Sequence, residues 1–308
     1  MYQRIILSSL VFLLIPLAIR ASSVTPSVIE LSSNRGEDIE SSFTLINESK
    51  IDQTYYLDTI SFKSHDETGT PEFFSDKTQG AFSQWIQFPI DTILVPARSR
   101  VKVPFNVNVP PDVKSGGYYA AITVSQAPSE VVETNSATIE AKTAILVFFT
   151  VKGETVIKAG LLDFFEKKPY LIHTDLRGSY KYRIQNQGNI HLTPNGTISF
   201  KDVFSRTVLT TDANSLKSRI LPMSTRTFSF DVVGRGNGFI DQVRYQAQTL
   251  AIGPITATLA IGEEGLSPLT AHISFFLLPI QLILVVAGMI IILFICYRLI
   301  TKKVFQHL

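Results

Sequence analysis

The sequence predicts an all-β protein: two tandem β-sandwich domains followed by one C-terminal transmembrane α-helix. Three observations lead there. Apolar side chains recur with a period of two along most of the chain. Turn signals such as Asn34-Arg35-Gly36 and Pro110-Pro111-Asp112 separate the resulting short strand candidates. From Ile273 to Tyr297 there is no charged residue. As a helix that run would rise roughly 37 Å at about 1.5 Å per residue, enough to cross a hydrocarbon core of about 30 Å.

The elements follow in order. Arg4 precedes the apolar run from Ile5 to Ile19, and Ala21-Ser22-Ser23 supplies small residues, the layout of a secretory signal peptide at 1–21. Cleavage after Ala21 or after Ser23 and retention as an uncleaved anchor are the alternatives. Residues 22–153 hold strand candidates at 27–31, 39–46, 55–62, 84–88, 100–109, 118–125 and 141–151, a number that suits a sandwich. The clearest is 100–109, where Val101, Val103, Phe105, Val107 and Val109 alternate with Arg100, Lys102, Pro104, Asn106 and Asn108. Pro104 on its wet side points to a sheet edge, because proline cannot donate to the ladder. The polar stretch 126–135 reads as a loop. A second sandwich is expected over 154–262, with candidates at 180–185, 196–200, 206–210, 225–233, 239–250 and 255–261. No stretch between the chain ends reads as a long amphipathic helix. Residues 263–272 read as a stalk, 273–297 as the span, and 298–308 as a basic tail. Arg298, Lys302 and Lys303 place that tail in the cytoplasm by the positive-inside rule.

Composition narrows the function classes. All 26 acidic residues lie between the apolar ends, against 23 of the 28 basic ones, so that part carries a net charge of about −3. So balanced a surface offers no basic face for nucleic acid. The single cysteine, Cys296, falls in the span. A disulfide-free extracytoplasmic part argues against a eukaryotic secreted protein and suits a bacterial surface. Asn47-Glu48-Ser49 and Asn195-Gly196-Thr197 match the glycosylation pattern only as short motifs.

Few residues point to chemistry. There is no HExxH or Gly-x-Ser-x-Gly motif, Asp163 and Glu166 are a carboxylate pair only in sequence, and no cofactor is expected. His65-Asp66-Glu67-Thr68-Gly69 lacks the ligand spacing of a calcium loop and reads as a solvated hairpin turn. Gly234, Gly236 and Gly238 read as a β-turn, not a phosphate cradle, with no helix expected behind them. Trp85, the only tryptophan, is either core or a stacking platform for a sugar. Alternation turns Tyr118 inward, where its hydroxyl can bond back to loop backbone. It leaves Tyr119 on the less apolar face, the position of a ligand contact.

Several of these pieces occur together in one family. The opening Val24-Thr25-Pro26, the strand at 43–47 and Ser83-Gln84-Trp85-Ile86 come first. Leu94-Val95-Pro96 precedes the 101–105 strand, and Val109-Pro110 is followed by Gly116-Gly117-Tyr118-Tyr119-Ala120-Ala121-Ile122. In this order residues 24–124 resemble the N-terminal domain of WxL-interacting proteins, surface proteins of Gram-positive bacteria and related lineages. That family often has Pro-Gly in the second turn; here Arg35-Gly36 stands there. Asn186-Gln187-Gly188-Asn189-Ile190-His191 and Leu221-Pro222 look like segments of related anchored surface proteins, without matching the family's host-binding domain. The resemblance implies Ig-like domains, a C-terminal membrane anchor, and binding to peptidoglycan or to partners carrying WxL modules. Three function classes follow. They are a non-catalytic surface binding module contacting wall peptidoglycan or a surface protein, a chaperone-like factor holding a partner's β-strand, and an undetected enzyme.

Overall fold

The computed structural model describes residues 23–305 apart from 76–80, 127–141, 171, 235, 237, 264 and 266. The expected signal peptide and most of the 126–135 loop lie outside the described residues. The chain forms two compact units: one runs to Phe62 and from Phe73 to Gly153, the other holds Lys63–Glu72 and everything from Glu154.

Ten strands build the first sandwich: β1 (Ser23–Thr25), β2 (Val28–Ser33), β3 (Asp38–Ile46), β4 (Gln53–Ser64), β5 (Pro71–Phe74), β6 (Ile86–Gln87), β7 (Thr92–Val95), β8 (Arg100–Asn108), β9 (Gly116–Ser125) and β10 (Thr143–Val151). One sheet has the order β1-β3-β8-β6. The other runs β2-β10-β9-β4-β5, with β7 also on β4. Alternation explains how each strand lies. In β8, Val103, Phe105 and Val107 are buried, while Arg100, Lys102, Pro104 and Asn106 are exposed. The Asn108 amide donates to the Trp85 carbonyl, and Gln87 lies opposite Asn106. Even-numbered residues of β8 therefore aim their backbone groups toward β6. Since β6 is only two residues long, Pro104 falls on an open edge, where its missing N–H leaves no gap in a ladder.

The second sandwich packs a sheet of β11 (Ala159–Glu166), β13 (Gly178–Asn186) and β16 (Thr225–Val232) on a five-stranded sheet. The latter has the order β12 (Ile172–His173), β18 (Leu269–Leu277), β17 (Gly253–Gly262), β14 (Asn195–Asp202) and β15 (Thr207–Asp212). Tyr180, Tyr182, Ile184, Phe200 and Leu259 fill its core. Tyr182 stacks on Phe228 with centroids 4.8 Å apart, and its hydroxyl donates to the Ala213 carbonyl. The α-helices among the described residues are α1 (Phe239–Thr249) and α2 (Ile280–Phe305).

Both sandwiches carry the same polar corner. Asn47 follows β3 and Asn186 ends β13, each where the chain crosses to the other sheet, and both are buried. Asn47 Nδ2 donates to the Ile51 and Val95 carbonyls, and its Oδ1 accepts from the Ser49 amide. Asn186 repeats this with Ile190, Ile220 and Gly188. The backbone agrees too: the Asn47 amide donates to Ser99 and the Asn186 amide to Ser224, and just ahead of these serines Arg98 and Met223 both have φ of 54°. A glycan on Asn47 is excluded by that burial.

Three expectations are corrected. Where a strand is expected over 239–250, residues 239–249 form a helix with Leu250 as its C-cap, and that helix follows the glycine run, with Gly238 as its N-cap. Residues 269–272 are not stalk but the start of β18. Ile273, expected in the membrane, lies in that strand opposite Ala257. Leu269, Ala271, Ile273 and Phe275 pack on the second core, so a charge-free strand runs into a charge-free span and hides their boundary. The helix long and apolar enough to cross a membrane therefore starts at Ile280.

Two substitutions test the frame. Asn186→Ala should destabilise the second sandwich by about 1–3 kcal/mol for each buried group left unmet. Amide exchange of the detergent-solubilised chain should show faster opening there than in the first sandwich. Phe105, fully buried, should cost about 3–5 kcal/mol as Phe105→Ala in denaturant titration, while exposed Asn106→Ala costs little.

Candidate functional site

Four adjacent strands, β10, β9, β4 and β5, assemble an aromatic face on the first sandwich. In β9, Ala120, Ile122 and Val124 face the core, which sends Tyr119 and Ala121 to the opposite side. Register then sets Phe148 of β10 directly across from Tyr119 and Ile60 of β4 across from Ala121. The Tyr119 ring meets Phe148 edge-on at 5.5 Å and Phe62 at 6.1 Å, and Phe62 meets Phe73 of β5 at 6.3 Å. Gly117 sets the tilt of Tyr119, since a Cβ there would lie 2.0 Å from the tyrosine hydroxyl oxygen. Phe62 and Phe148 are buried, Tyr119 is half-buried, and Phe73 is 42 % exposed. The outer side of a sandwich sheet is ordinarily wet; here it carries four rings.

The other expected contact, Trp85, is withdrawn from that surface. It is 4 % exposed and packs at 4.8 Å from Tyr118 and 5.3 Å from Phe82. A sugar ring cannot reach it, so Trp85 is core. Tyr118 faces inward and its hydroxyl donates to the Lys114 carbonyl at 2.8 Å, while burial pushes its pKa up.

The remaining polar groups are tied into structure. Asp163 accepts from Arg183 at 2.9 Å on the surface. Glu166 instead lies buried, 3.2 Å from His173 Nε2, and burial pushes its carboxyl up against the pull of the imidazole. His173 packs at 4.4 Å on Phe275, which places this pair against the apolar side chains of β18. The 65–69 turn is not simply solvated. Residues 63–72 cluster with the second unit, where the Glu67 carboxylate binds the Arg183 guanidinium and the Thr227 hydroxyl. Those bonds hold its pKa below the usual carboxylate value. Among the described residues, no group of three or more His, Cys, Asp or Glu is placed to hold a metal ion.

At the C-terminal end, Ile280–Lys302 is one helix long and apolar enough to cross a membrane, and none of its most apolar window is buried. Tyr297 and Arg298 lie on it, and the Arg298 guanidinium sits 5.9 Å from the Phe294 ring centroid. Lys302 is exposed, and Lys303 belongs to the last helical turns. The sequence separated Tyr119 from Tyr118 correctly. It did not reveal Phe62 or Phe148, whose apposition depends on register across residues far apart in the chain.

No family model and no curated protein matches the chain. Solved structures are similar to it at low identity. The class 5 fimbriae chaperone CfaA is 12% identical, the match covering 82% of this chain and 98% of that chain at a TM-score of 0.41. The Escherichia coli chaperone DraB is 9% identical over 82% and 98%, at 0.36. PapD-like domain 7 of human CEP192 is 16% identical over 43% and 86%, at 0.30. With TM-scores below 0.5, these likenesses carry no argument about what the chain binds.

Proposed function

We propose that this chain is a non-catalytic, membrane-anchored surface protein whose first sandwich binds an extracytoplasmic partner through the face around Tyr119. The observation that supports this reading is the ring cluster of Phe62, Phe73, Tyr119 and Phe148 on the side of the sheet away from the core. Aromatic faces of this kind give large apolar contact at low entropic cost. Phe73 and Tyr119, the more exposed rings of the face, are flanked by Ile60, a largely apolar setting that favours a surface protein, including one with a WxL module, over peptidoglycan. The helix α2 anchors the protein in one pass, with Arg298, Lys302 and Lys303 on the cytoplasmic side.

A second reading, a factor that holds a partner's strand, has one observation of its own. β2 pairs with β10 only from Leu146 onward, whereas β9 pairs with it from Thr143. Thr143, Ala144 and Ile145 therefore present a strand edge with no ladder partner among the described strands, a place where an extended segment can add.

Two experiments test these readings. Tyr119→Ala and Phe73→Ala should weaken capture of a surface protein by the vesicle-reconstituted chain at least tenfold, with the melting curve unchanged. Retained capture, with loss on Ala144→Pro instead, moves the contact to the β10 edge; saturable binding to purified peptidoglycan restores the wall as ligand. For the anchor, protease added to intact protoplasts should remove both sandwiches and leave a fragment near α2. Val286→Arg should impair insertion, because a central arginine costs about 2.5–3.5 kcal/mol on insertion scales.

A further inference from the structure

The helix α1 is amphipathic the wrong way round for a water-soluble domain. At 3.6 residues per turn, Phe239, Ile240, Val243, Ala247 and Leu250 form one stripe about 100° wide. That stripe faces out: Ile240 is 71 % exposed, and Phe239 and Leu250 are more than half exposed. The inward face is polar, with Tyr245, Thr249 and the fully buried Gln246. Gln246 donates to the Thr174 carbonyl and the Gln281 side chain, and its Oε1 accepts from the Leu282 amide at 2.8 Å. This side chain thus fixes α1 to the first turn of α2.

Other apolar groups gather at the same end. Register places the end of β14 (Asp202), the start of β17 (Gly253) and the end of β18 (Leu277) at one end of the five-stranded sheet. The β14–β15 turn there carries Val203 and Phe204, the latter 87 % exposed. Arg206 from the same turn donates to the Leu250 carbonyl at 2.7 Å, joining the turn to the C-terminus of α1. Leu250 and Ile252 continue into an apolar groove along Pro279 and, on α2, Ile283, Val286 and Ile290. Lys167 and Lys168, in the connection leading to β12 at this end, and Arg244 beside the stripe are exposed.

We propose that α1 and the Val203-Phe204 turn are a second, interfacial membrane contact, lying in the headgroup region of the bilayer that α2 crosses. The occupant is lipid because the stripe is continuous with the span's own lipid-facing surface, and because cations border it where phosphates would lie. Phe239 and Phe204 take the place that interfacial aromatics occupy. The result is a second sandwich seated on the membrane, not held off it by a stalk.

The inference rests on α2 spanning the bilayer, and the test separates the two. Tryptophan is introduced singly in the full chain at Ile240, Phe204, Leu216 or Val286, with buried Trp85 as a constant background. Each variant is reconstituted in vesicles of phosphatidylcholine and phosphatidylglycerol, with and without brominated acyl chains. Leu216, exposed beyond the far end of β15 from Phe204, is the water-facing control. Ile240→Trp and Phe204→Trp should emit to the blue of Leu216→Trp and lose at least half of their added intensity to brominated lipid, as Val286→Trp does. If Val286→Trp is quenched but the other two are not, the interfacial contact is overturned while the span stands. Blue emission without quenching assigns the stripe to a protein surface and overturns it equally; failure of Val286→Trp overturns both.

Discussion

Each sandwich depends on one buried asparagine at the place where the chain changes sheets. A strand that leaves its sheet takes its last carbonyls and amides out of the ladder, and a dry interior offers them no water. Asn47 and Asn186 close that gap by imitating a strand edge: one side chain donates twice, accepts once, and ties two crossings together. The second crossing runs through Val95-Pro96 in the first domain and through Ile220-Leu221-Pro222 in the second. With both crossings pinned, the inward residues of the two sheets are held face to face, and alternation fills the space between them. The matching left-handed residues Arg98 and Met223 show that the domains share a local solution despite dissimilar cores.

This repetition was present in the sequence but difficult to see there. Asn-x-x-x-Ile occurs at 47–51 and 186–190, and each is answered by an apolar residue and a proline far downstream. Neither half signals much alone, because its meaning lies in hydrogen bonds across roughly forty residues. The period of two was the stronger signal, and it located β3, β8, β9, β14 and β17 closely. It failed where its contrast vanished. In β18 the inward residues Ile273 and Phe275 are followed without a charge by the span, so hydropathy alone merged the two. Leu278-Pro279 marks the true break, since proline suits the start of a helix but not its interior.

The candidate surface was half legible for a similar reason. Alternation within β9 is a property of neighbouring residues, so it separated inward Tyr118 from outward Tyr119. The rest of the face comes from β4, β5 and β10, and only strand register brings Phe148 opposite Tyr119. Trp85 shows the reverse case: a lone aromatic invites a binding role, yet it follows a short 3-10 turn that tucks its ring against Phe82 and Tyr118.

The orientation of α1 has the most consequence. An apolar stripe at helical spacing is usually sought on the side that meets the core, and here the core side is held by Gln246. Rotating the helix to bury Ile240 and Phe239 would remove Gln246 from Thr174, Gln281 and Leu282, leaving donors and acceptors without partners at about 1–3 kcal/mol each. It would also release the Leu250 carbonyl from Arg206, which satisfies the helix C-terminus. Polar anchoring therefore dictates which face looks outward. In water such a stripe carries a hydration cost of about 25 cal/mol per Å². Against the acyl-chain boundary of the proposal that cost would disappear, so the orientation that keeps the Gln246 and Arg206 hydrogen bonds would also suit the solvent. Gln246 ties α1 to the first turn of α2 through Gln281 and Leu282, which sets the stripe beside the helix that the proposal places in the bilayer.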